Sequence, residues 1–228
     1  MPRLQAIWSQ GGVGVDPKEI VRQGYDMIAE EYARQAAEAK AEDRDHYTQL
    51  LLDRLPPGSS VLELGCGAGL PVTGALAERF VVTGVDISGQ LVELARRNAP
   101  AATFLQADMT QLDLLPESYD AVAAFYCIPH VPRREQEPLL RKIQTWLKPG
   151  GWLVASFGPG LPEAHVEQDW MGVPMYFSAY DRQTSTQLIE EAGLEILSAT
   201  EHVVDREGEA LAYLWIVAKK PLSSREGV

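Results

Sequence analysis

The chain has 228 residues, of which 46% are hydrophobic and 23% are charged, values typical of a globular protein with one sizeable core. Twenty basic and thirty-two acidic residues give a formal net charge of −12, which argues against binding to a nucleic-acid backbone. No signal peptide opens the chain, and no apolar run reaches the roughly 20 residues of a membrane span, so we expect a cytoplasmic protein.

The N-terminal part predicts a leader and a helical cap. Residues 1–15 are glycine-rich without hydrophobic periodicity and are predicted to be a flexible leader. From Asp16 onward, apolar side chains recur at helical spacing, which predicts an amphipathic helix. Its apolar stripe is Val21, Tyr25, Ile28 and Tyr32. A second predicted helix covers His46–Leu55, so residues 16–57 form an N-terminal helical cap.

From residue 58 the sequence alternates between short apolar strands and amphipathic helices. The predicted strands are Ser60–Leu64, Phe80–Val85, Ala102–Gln106, Tyr119–Phe125 and Trp152–Phe157. The predicted helices are Leu70–Arg79, a helix capped by Ser88 that runs to Asn98, and Arg134–Leu147. This alternation predicts an α/β fold with a mostly parallel sheet and helices on both faces.

The C-terminal part departs from this alternation. Residues 158–180 are long for a connection and rich in aromatic side chains, which predicts a substrate-binding insertion. A helix is predicted over Asp181–Ala192, followed by strands Leu194–Val204 and Ala210–Ala218 as an antiparallel edge hairpin. The core domain therefore spans residues 58–220, and residues 221–228 form a tail.

A glycine-rich turn follows the first predicted strand. Gly65, Gly67 and Gly69 alternate there and open a helix, an arrangement that brings bare backbone N–H groups against a bound ligand. Asp86 ends the second strand, where a carboxylate can accept both hydroxyls of a ribose. Asp108 follows the third strand and is placed to accept a hydrogen bond from an exocyclic amine. We therefore expect a nucleoside-containing ligand.

Five segments in order resemble the successive motifs of the class I S-adenosylmethionine-dependent methyltransferases. They are Glu63–Gly69, Val85–Ser88, Gln106–Met109, Tyr119–Val122 and Leu147–Trp152. The resemblance implies a Rossmann-like, doubly wound, seven-stranded sheet whose last strand is inserted antiparallel. It also implies S-adenosylmethionine as cofactor, with S-adenosylhomocysteine as its product.

The resemblance further implies a role for individual residues in holding the cofactor. Gly65 and Gly67 would lie against its methionine portion, and Asp86 would bind its ribose. Tyr25 or Tyr32 of the helical cap would reach its carboxylate. The complete implied cofactor-binding set is Tyr25, Tyr32, Glu63, Gly65, Cys66, Gly67, Asp86, Ile87, Asp108, Met109 and Phe125.

The glycine turn has two other interpretations. A nicotinamide dinucleotide site usually shows G-x-G-x-x-G, whereas this chain has G-x-G-x-G and an edge hairpin that suits that alternative poorly. A non-catalytic sensor or partner subunit that binds S-adenosylmethionine or S-adenosylhomocysteine stays open as an alternative, because intact cofactor motifs alone do not establish catalysis.

Candidate catalytic residues lie just beyond the fourth strand. His130 is the best candidate for a general base, because a neutral imidazole accepts a proton near pH 7, and Tyr126 is an alternative polar group on the same loop. The predicted acceptor-binding residues of the aromatic insertion are Trp170, Met175, Tyr176 and Tyr180.

The acceptor class is narrowed by what the sequence lacks. No Asn/Asp-Pro-Pro-Tyr/Phe motif follows the fourth strand, as it does in nucleic-acid amino-methylating members of the family, and the two cysteines, Cys66 and Cys127, are too few for an arsenic methyltransferase. Scattered carboxylates such as Glu163 and Asp181 are expected to be solvated, so no metal is predicted. We expect a small, partly apolar acceptor that offers oxygen or nitrogen, with no nucleic-acid or membrane partner.

Overall fold

The computed structural model describes residues 16–39, 41–206 and 209–222. The helices are α1 (Pro17–Glu38), α2 (Glu42–Arg54), α3 (Val72–Ala77), α4 (Gly89–Asn98), α5 (Arg133–Trp146) and α6 (Arg182–Glu191). The strands are β1 (Ser60–Leu64), β2 (Val81–Asp86), β3 (Thr103–Gln106), β4 (Tyr119–Ala124), β5 (Leu147–Phe157), β6 (His165–Trp170), β7 (Val173–Phe177), β8 (Glu195–Arg206) and β9 (Glu209–Lys219). The predicted leader, 1–15, and residues 223–228 of the predicted tail lie outside the described residues.

Seven strands form one sheet in the order β3-β2-β1-β4-β5-β9-β8. Strands β1 to β5 pair in parallel, whereas β9 is antiparallel to both β5 and β8. The predicted Rossmann-like sheet with an antiparallel edge hairpin is therefore confirmed. Strand order reverses between β1 and β4, so the crevice at the carboxyl ends of these strands is where such sheets bind ligands.

Alternate side chains of the buried strands serve two separate cores. In β1, Val61 packs on one face with Leu51 of α2 and Leu76 of α3. Leu62 points to the opposite face and packs with Leu139 of α5. This alternation is the period of two that a strand imposes on its side chains. Helices therefore cover both faces and leave the carboxyl edge open for a third layer.

The third layer at the carboxyl edge is α1. Its predicted apolar stripe is confirmed, because Val21 and Tyr25 are buried and pack with Leu91 of α4 and Met175 of β7. Asp16 caps this helix by accepting a hydrogen bond from the Lys18 backbone N–H at 3.0 Å. Helix α1 of the predicted cap thus lies across the edge where the glycine turn opens, whereas α2 packs on one face of the sheet.

The structure adds strand at two places to the predicted elements. No strand is predicted in the insertion 158–180, yet β6 and β7 form an antiparallel hairpin within it. Its turn residues, Met171 and Gly172, both have positive φ, as a tight two-residue hairpin turn requires, but Met-Gly lacks the Asn-Gly signature of such turns. In addition, β5 begins at Leu147 instead of Trp152, because Leu147 pairs with Tyr119 before the register shifts.

The glycine turn after β1 is wedged between two neighbouring strands. The backbone N–H groups of Gly65 and Cys66 both donate to the Val85 carbonyl of β2, at 2.8 and 3.0 Å. Gly65 has a φ of 68°, and a Cβ atom there would clash with the Cβ of Cys127, which follows β4. Only glycine satisfies both the conformation and the space.

We expect Gly65→Ala to destabilise the protein more than Gly58→Ala. Gly58 also has a positive φ, 80°, but a Cβ there would meet nothing within 4 Å of the described residues. The control should therefore cost only the backbone strain of about 1–2 kcal/mol, whereas Gly65→Ala adds an overpacking penalty of about 1–3 kcal/mol. Urea unfolding of the two variants measures the difference, and equal midpoints would contradict the proposed wedge.

Candidate active site

The second glycine of the turn lies beneath α1. Gly67 has a φ of 55°, and among the described residues a Cβ atom there would meet only the ring of Tyr32, at 3.7 Å. The rings of Tyr32 and Tyr25 lie 5.0 Å apart, and Trp170 of β6 lies 5.5 Å from Tyr25. Bare backbone on one side and aromatic rings on the other suit a flat, partly apolar ligand.

Asp86 lies beside Gly67, at the end of β2. Its carboxylate accepts hydrogen bonds from the backbone N–H groups of Gly67 and Ser88, both at 2.9 Å. The side chain is buried, and burial raises the pKa of Asp86 to about 6 although these backbone hydrogen bonds oppose the shift. Each carboxylate oxygen still has a lone pair for a further donor, as binding of ribose hydroxyls requires.

Glu63 lies beneath the glycine turn, inside the protein. Burial raises the pKa of Glu63 to about 8, and the nearby Asp86 carboxylate adds to that shift. The Thr73 hydroxyl of α3 donates to Glu63 at 2.6 Å. Burial likewise raises the pKa of the Cys66 thiol. Near neutral pH these two side chains are therefore uncharged and support the turn from within.

The opposite end of the site is a cavity of about 310 Å³ beneath the start of α1. It is lined by Asp16, Lys18, Glu19, Arg22, Ile87, Gln106, Ala107 and Asp108. Two predicted cofactor residues, Ile87 and Asp108, thus share one cavity. The third residue predicted for this region, Met109, packs against the main core instead of lining the cavity.

Asp108 has protein partners as well as a cavity. It caps the short 3₁₀ turn Met109–Gln111 by accepting from the Thr110 backbone N–H at 2.9 Å. Lys18 of α1 contacts Asp108 and Glu135 of α5, each at 2.6 Å. Burial lowers the pKa of Lys18, but the hydrogen bonds that its ammonium donates to Asp108 and Glu135, together with the charges of these two carboxylates, outweigh that effect and raise the pKa. Sequence reasoning missed Lys18, because its partners lie at least 90 residues away.

His130 closes the site on the β4 side. Its Nε2 atom lies 2.9 Å from the Tyr25 hydroxyl, and its Nδ1 atom lies 2.9 Å from the Tyr176 carbonyl oxygen. The ring of Phe177 lies 4.9 Å from the His130 ring. Phe177 was not among the predicted site residues, although it belongs to the aromatic segment that supplied the others.

Other predicted residues lie away from His130. The Tyr126 hydroxyl hydrogen-bonds to Asp43 of α2, and its ring packs against Tyr213 at 4.9 Å. Phe125 packs against Trp215 on the same side of the sheet, at 4.8 Å. The catalytic role of Tyr126 therefore stays a prediction, and so does the contact of Phe125 with the cofactor.

Of the four predicted acceptor residues, two contact the Tyr25 or His130 side chain, and the other two have different contacts. Trp170 lies with Tyr25 and Tyr32, and Tyr176 supplies its carbonyl to His130. Met175 is fully buried and packs against Gly24 of α1, so it supports the roof from behind. Tyr180 stacks instead with the Arg133 guanidinium, 5.1 Å away.

Among the described residues, no helix is long and apolar enough to cross a membrane. Within the same part of the chain, no three His, Cys, Asp or Glu side chains are grouped so that they could hold a metal ion.

The chain is similar to known methyltransferases. Residues 61–151 match the family model of a methyltransferase domain. The 2-methyl-6-phytyl-1,4-hydroquinone methyltransferase of Synechocystis sp. is 31% identical over 176 residues, which are 75% of this chain and 54% of that protein. The ubiquinone biosynthesis O-methyltransferase of Idiomarina loihiensis is 37% identical over 101 residues, 41% of this chain and 40% of that protein. The chain thus spans about half the length of these curated relatives.

A solved structure shows the same fold. The 1,6-didemethyltoxoflavin-N1-methyltransferase of Burkholderia thailandensis, with bound 1,6-didemethyltoxoflavin and S-adenosylhomocysteine, superposes with a TM-score of 0.69 at 19% identity. The superposition covers 93% of this chain and 93% of that one.

The titration of Asp86 gives a testable property of the site. If Asp86 binds ribose as predicted, its pKa of about 6 implies that the affinity for S-adenosylhomocysteine falls about tenfold between pH 7 and pH 5, because protonation removes the charge of that acceptor. Calorimetry measures this affinity. Asp86→Asn should bind more weakly at pH 7 and lose the pH dependence. An equal slope in the variant and the unaltered protein would assign the titration to another group.

Proposed function

Because the chain belongs to the class I S-adenosylmethionine-dependent methyltransferases, we propose that it transfers a methyl group to an oxygen or nitrogen of a small, partly apolar molecule. The observation that carries this proposal is the arrangement at Gly67, where Asp86 accepts a hydrogen bond from the Gly67 backbone and the ring of Tyr32, packed with Tyr25 and Trp170, lies over the glycine. When bound there, S-adenosylmethionine would supply an electrophilic methyl group on a positively charged sulfur.

The proposed cofactor contacts follow from the positions of these residues. Gly65 and Gly67 present backbone, Asp86 accepts the ribose hydroxyls, and Ile87 and Asp108 line the cavity for the base. The positive φ of the glycines and the buried carboxylate fit a nucleoside ligand. Lys18 holds α1 against Asp108, so it keeps the roof closed over that end.

The proposed acceptor binds beside Tyr25 and His130, against the aromatic insertion. The names of the relatives support a small organic acceptor, since they act on a hydroquinone and in ubiquinone biosynthesis. The rings of Trp170 and Phe177 pack edge to face, with their centroids 6.1 Å apart, and supply one apolar surface for it. The net charge of −12 speaks against a nucleic-acid acceptor.

We assign the parts of the chain as follows. Residues 16–57 act as the cap, residues 58–220 as the methyltransferase core, and the segment 158–180, with its β6–β7 hairpin, as the acceptor-binding insertion. The proposed location is the cytoplasm. Its support is that Cys66 and Cys127 are both buried free thiols, as is usual in a reducing compartment.

Methyl-tritiated S-adenosylmethionine tests the proposed function directly. Incubation with a metabolite extract should label a small product, which mass spectrometry then identifies. Tight binding of the cofactor without any transfer to the extract would contradict catalysis and favour a sensor or partner subunit instead.

His130→Ala should lower turnover about 100-fold while the cofactor still binds, because a positioned general base contributes about 10²–10⁴ in rate. His202→Ala is the matched control, since His202 also pairs with a tyrosine hydroxyl, that of Tyr47 at 3.2 Å, but away from the site. Initial rates with the labelled acceptor and calorimetry with S-adenosylhomocysteine make the comparison. Turnover within a few-fold in both variants would rule out a base role for His130.

A further inference from the structure

The hydrogen bonds of His130 fix which of its nitrogens carries the proton. The Tyr176 carbonyl oxygen only accepts, so Nδ1, 2.9 Å away, must be the N–H donor. In a neutral imidazole Nε2 then has the lone pair, and it accepts from the Tyr25 hydroxyl at 2.9 Å. In this tautomer the Tyr25 hydroxyl is therefore placed to donate its proton to Nε2.

Tyr25 also lies against the walls of the site. It is a buried residue of α1, and its ring contacts Tyr32, which roofs Gly67, and Trp170 of the insertion. The His130 ring meets it edge-on at 5.4 Å. Tyr25 thus contacts three parts of the site at once: Tyr32 of α1, Trp170 of the insertion and the candidate base, His130.

On the basis of the proposed function, we infer that Tyr25 and His130 form a two-step proton relay and that the acceptor is a phenolic hydroxyl. The acceptor oxygen uses a lone pair to form the bond to the methyl carbon, and the electrons of the sulfur–methyl bond return to sulfur. The acceptor proton moves to the Tyr25 oxygen as the Tyr25 proton moves to His130 Nε2. The imidazolium so formed later releases its proton to water.

A phenol matches this relay better than an amine does. A phenol and the Tyr25 hydroxyl both have pKa values near 10 in water, so a proton passes between them with little change in free energy. A neutral amine attacks through its lone pair without first losing a proton, so it needs no such relay. Aromatic walls also favour an aromatic ring over an aliphatic chain.

The relay divides the roles of the two tyrosines of α1. We assign the contact with the cofactor carboxylate to Tyr32, because its ring lies over Gly67, and the proton transfer to Tyr25, because its hydroxyl pairs with His130. Loss of the Tyr25 hydroxyl should therefore lower turnover, whereas loss of the Tyr32 hydroxyl should weaken cofactor binding.

The first test needs no turnover. Nitrogen-15 spectra of the His130 ring in the full protein with S-adenosylhomocysteine report which nitrogen is protonated. We expect a protonated Nδ1 and a bare, hydrogen-bonded Nε2 near neutral pH, with the Nε2 signal shifted in Tyr25→Phe. A protonated Nε2 would overturn the relay, because Tyr25 would then accept from His130 and could not donate to it.

The second test is a double-mutant cycle with methyl-1,4-hydroquinone as the acceptor probe. Tyr25→Phe and His130→Ala should each lower turnover about 100-fold, and the double variant should be no more than about threefold worse, because the two side chains act as one unit. Affinity for S-adenosylhomocysteine should stay within about threefold in Tyr25→Phe and fall in Tyr32→Phe. The turnover rate, measured in mixtures of H₂O and D₂O, should depend on the deuterium fraction in the curved manner expected when two protons move in the same step.

Tyr47→Phe is the matched control, because it removes a tyrosine–histidine hydrogen bond outside the site. Multiplicative losses in the cycle, or an unchanged rate in Tyr25→Phe, would overturn the relay. An N-methylated product from the extract would overturn the phenolic acceptor while leaving the proposed function intact. Absence of label in every product would instead contradict the proposed function, and the ring spectra would still decide the direction of the Tyr25–His130 hydrogen bond.

Discussion

The contact between the glycine turn and its two neighbouring strands is the constraint on which the rest of the site depends. The Val85 carbonyl holds the backbone of Gly65 and Cys66 from the β2 side, and Cys127 fills the space beside Gly65 from the β4 side. Because both contacts involve backbone or atoms next to it, the turn has little freedom to move. The turn is thereby fixed relative to Asp86 at the end of β2. It is also fixed relative to the loop after β4, which carries His130.

Charged contacts then fix α1 over this rigid edge. Asp26 accepts from the Ser88 hydroxyl at 2.7 Å and from the Gln90 backbone N–H at 3.2 Å, both at the start of α4. Lys18 reaches Asp108 and Glu135 near the cavity. Apolar packing beneath the helix supplies burial, whereas these directional contacts set its register. Tyr25 and Tyr32 consequently lie over the site instead of in an ordinary core.

Burial has opposite consequences for the carboxylates of this edge. Glu63, beneath the turn, has a pKa raised to about 8 by burial, whereas Asp86 keeps two backbone donors that limit its pKa to about 6. Near neutral pH the first is mostly protonated and the second mostly ionised. One therefore serves as a neutral support, and the other presents charge toward the ligand space.

The sequence by itself determined the order of strands and helices in the main sheet, the glycine turn, the position of Asp86 and the antiparallel edge hairpin. These features depend on local periodicity, on glycine at a turn and on alternation along the chain, all of which neighbouring residues specify. Ser88 as a helix cap is an example, because its hydroxyl accepts from the Leu91 backbone N–H three residues later.

Only the tertiary structure decided which side chains meet across the edge. Tyr25 and His130 lie 105 residues apart, and Lys18 and Glu135 lie 117 apart, so no local pattern pairs them. Tyr126 and His130 share one loop, yet Tyr126 turns toward Asp43, with a φ of 58°, while His130 turns toward α1. The direction of a side chain on a loop depends on the elements that pack against it, and their placement follows from the whole fold.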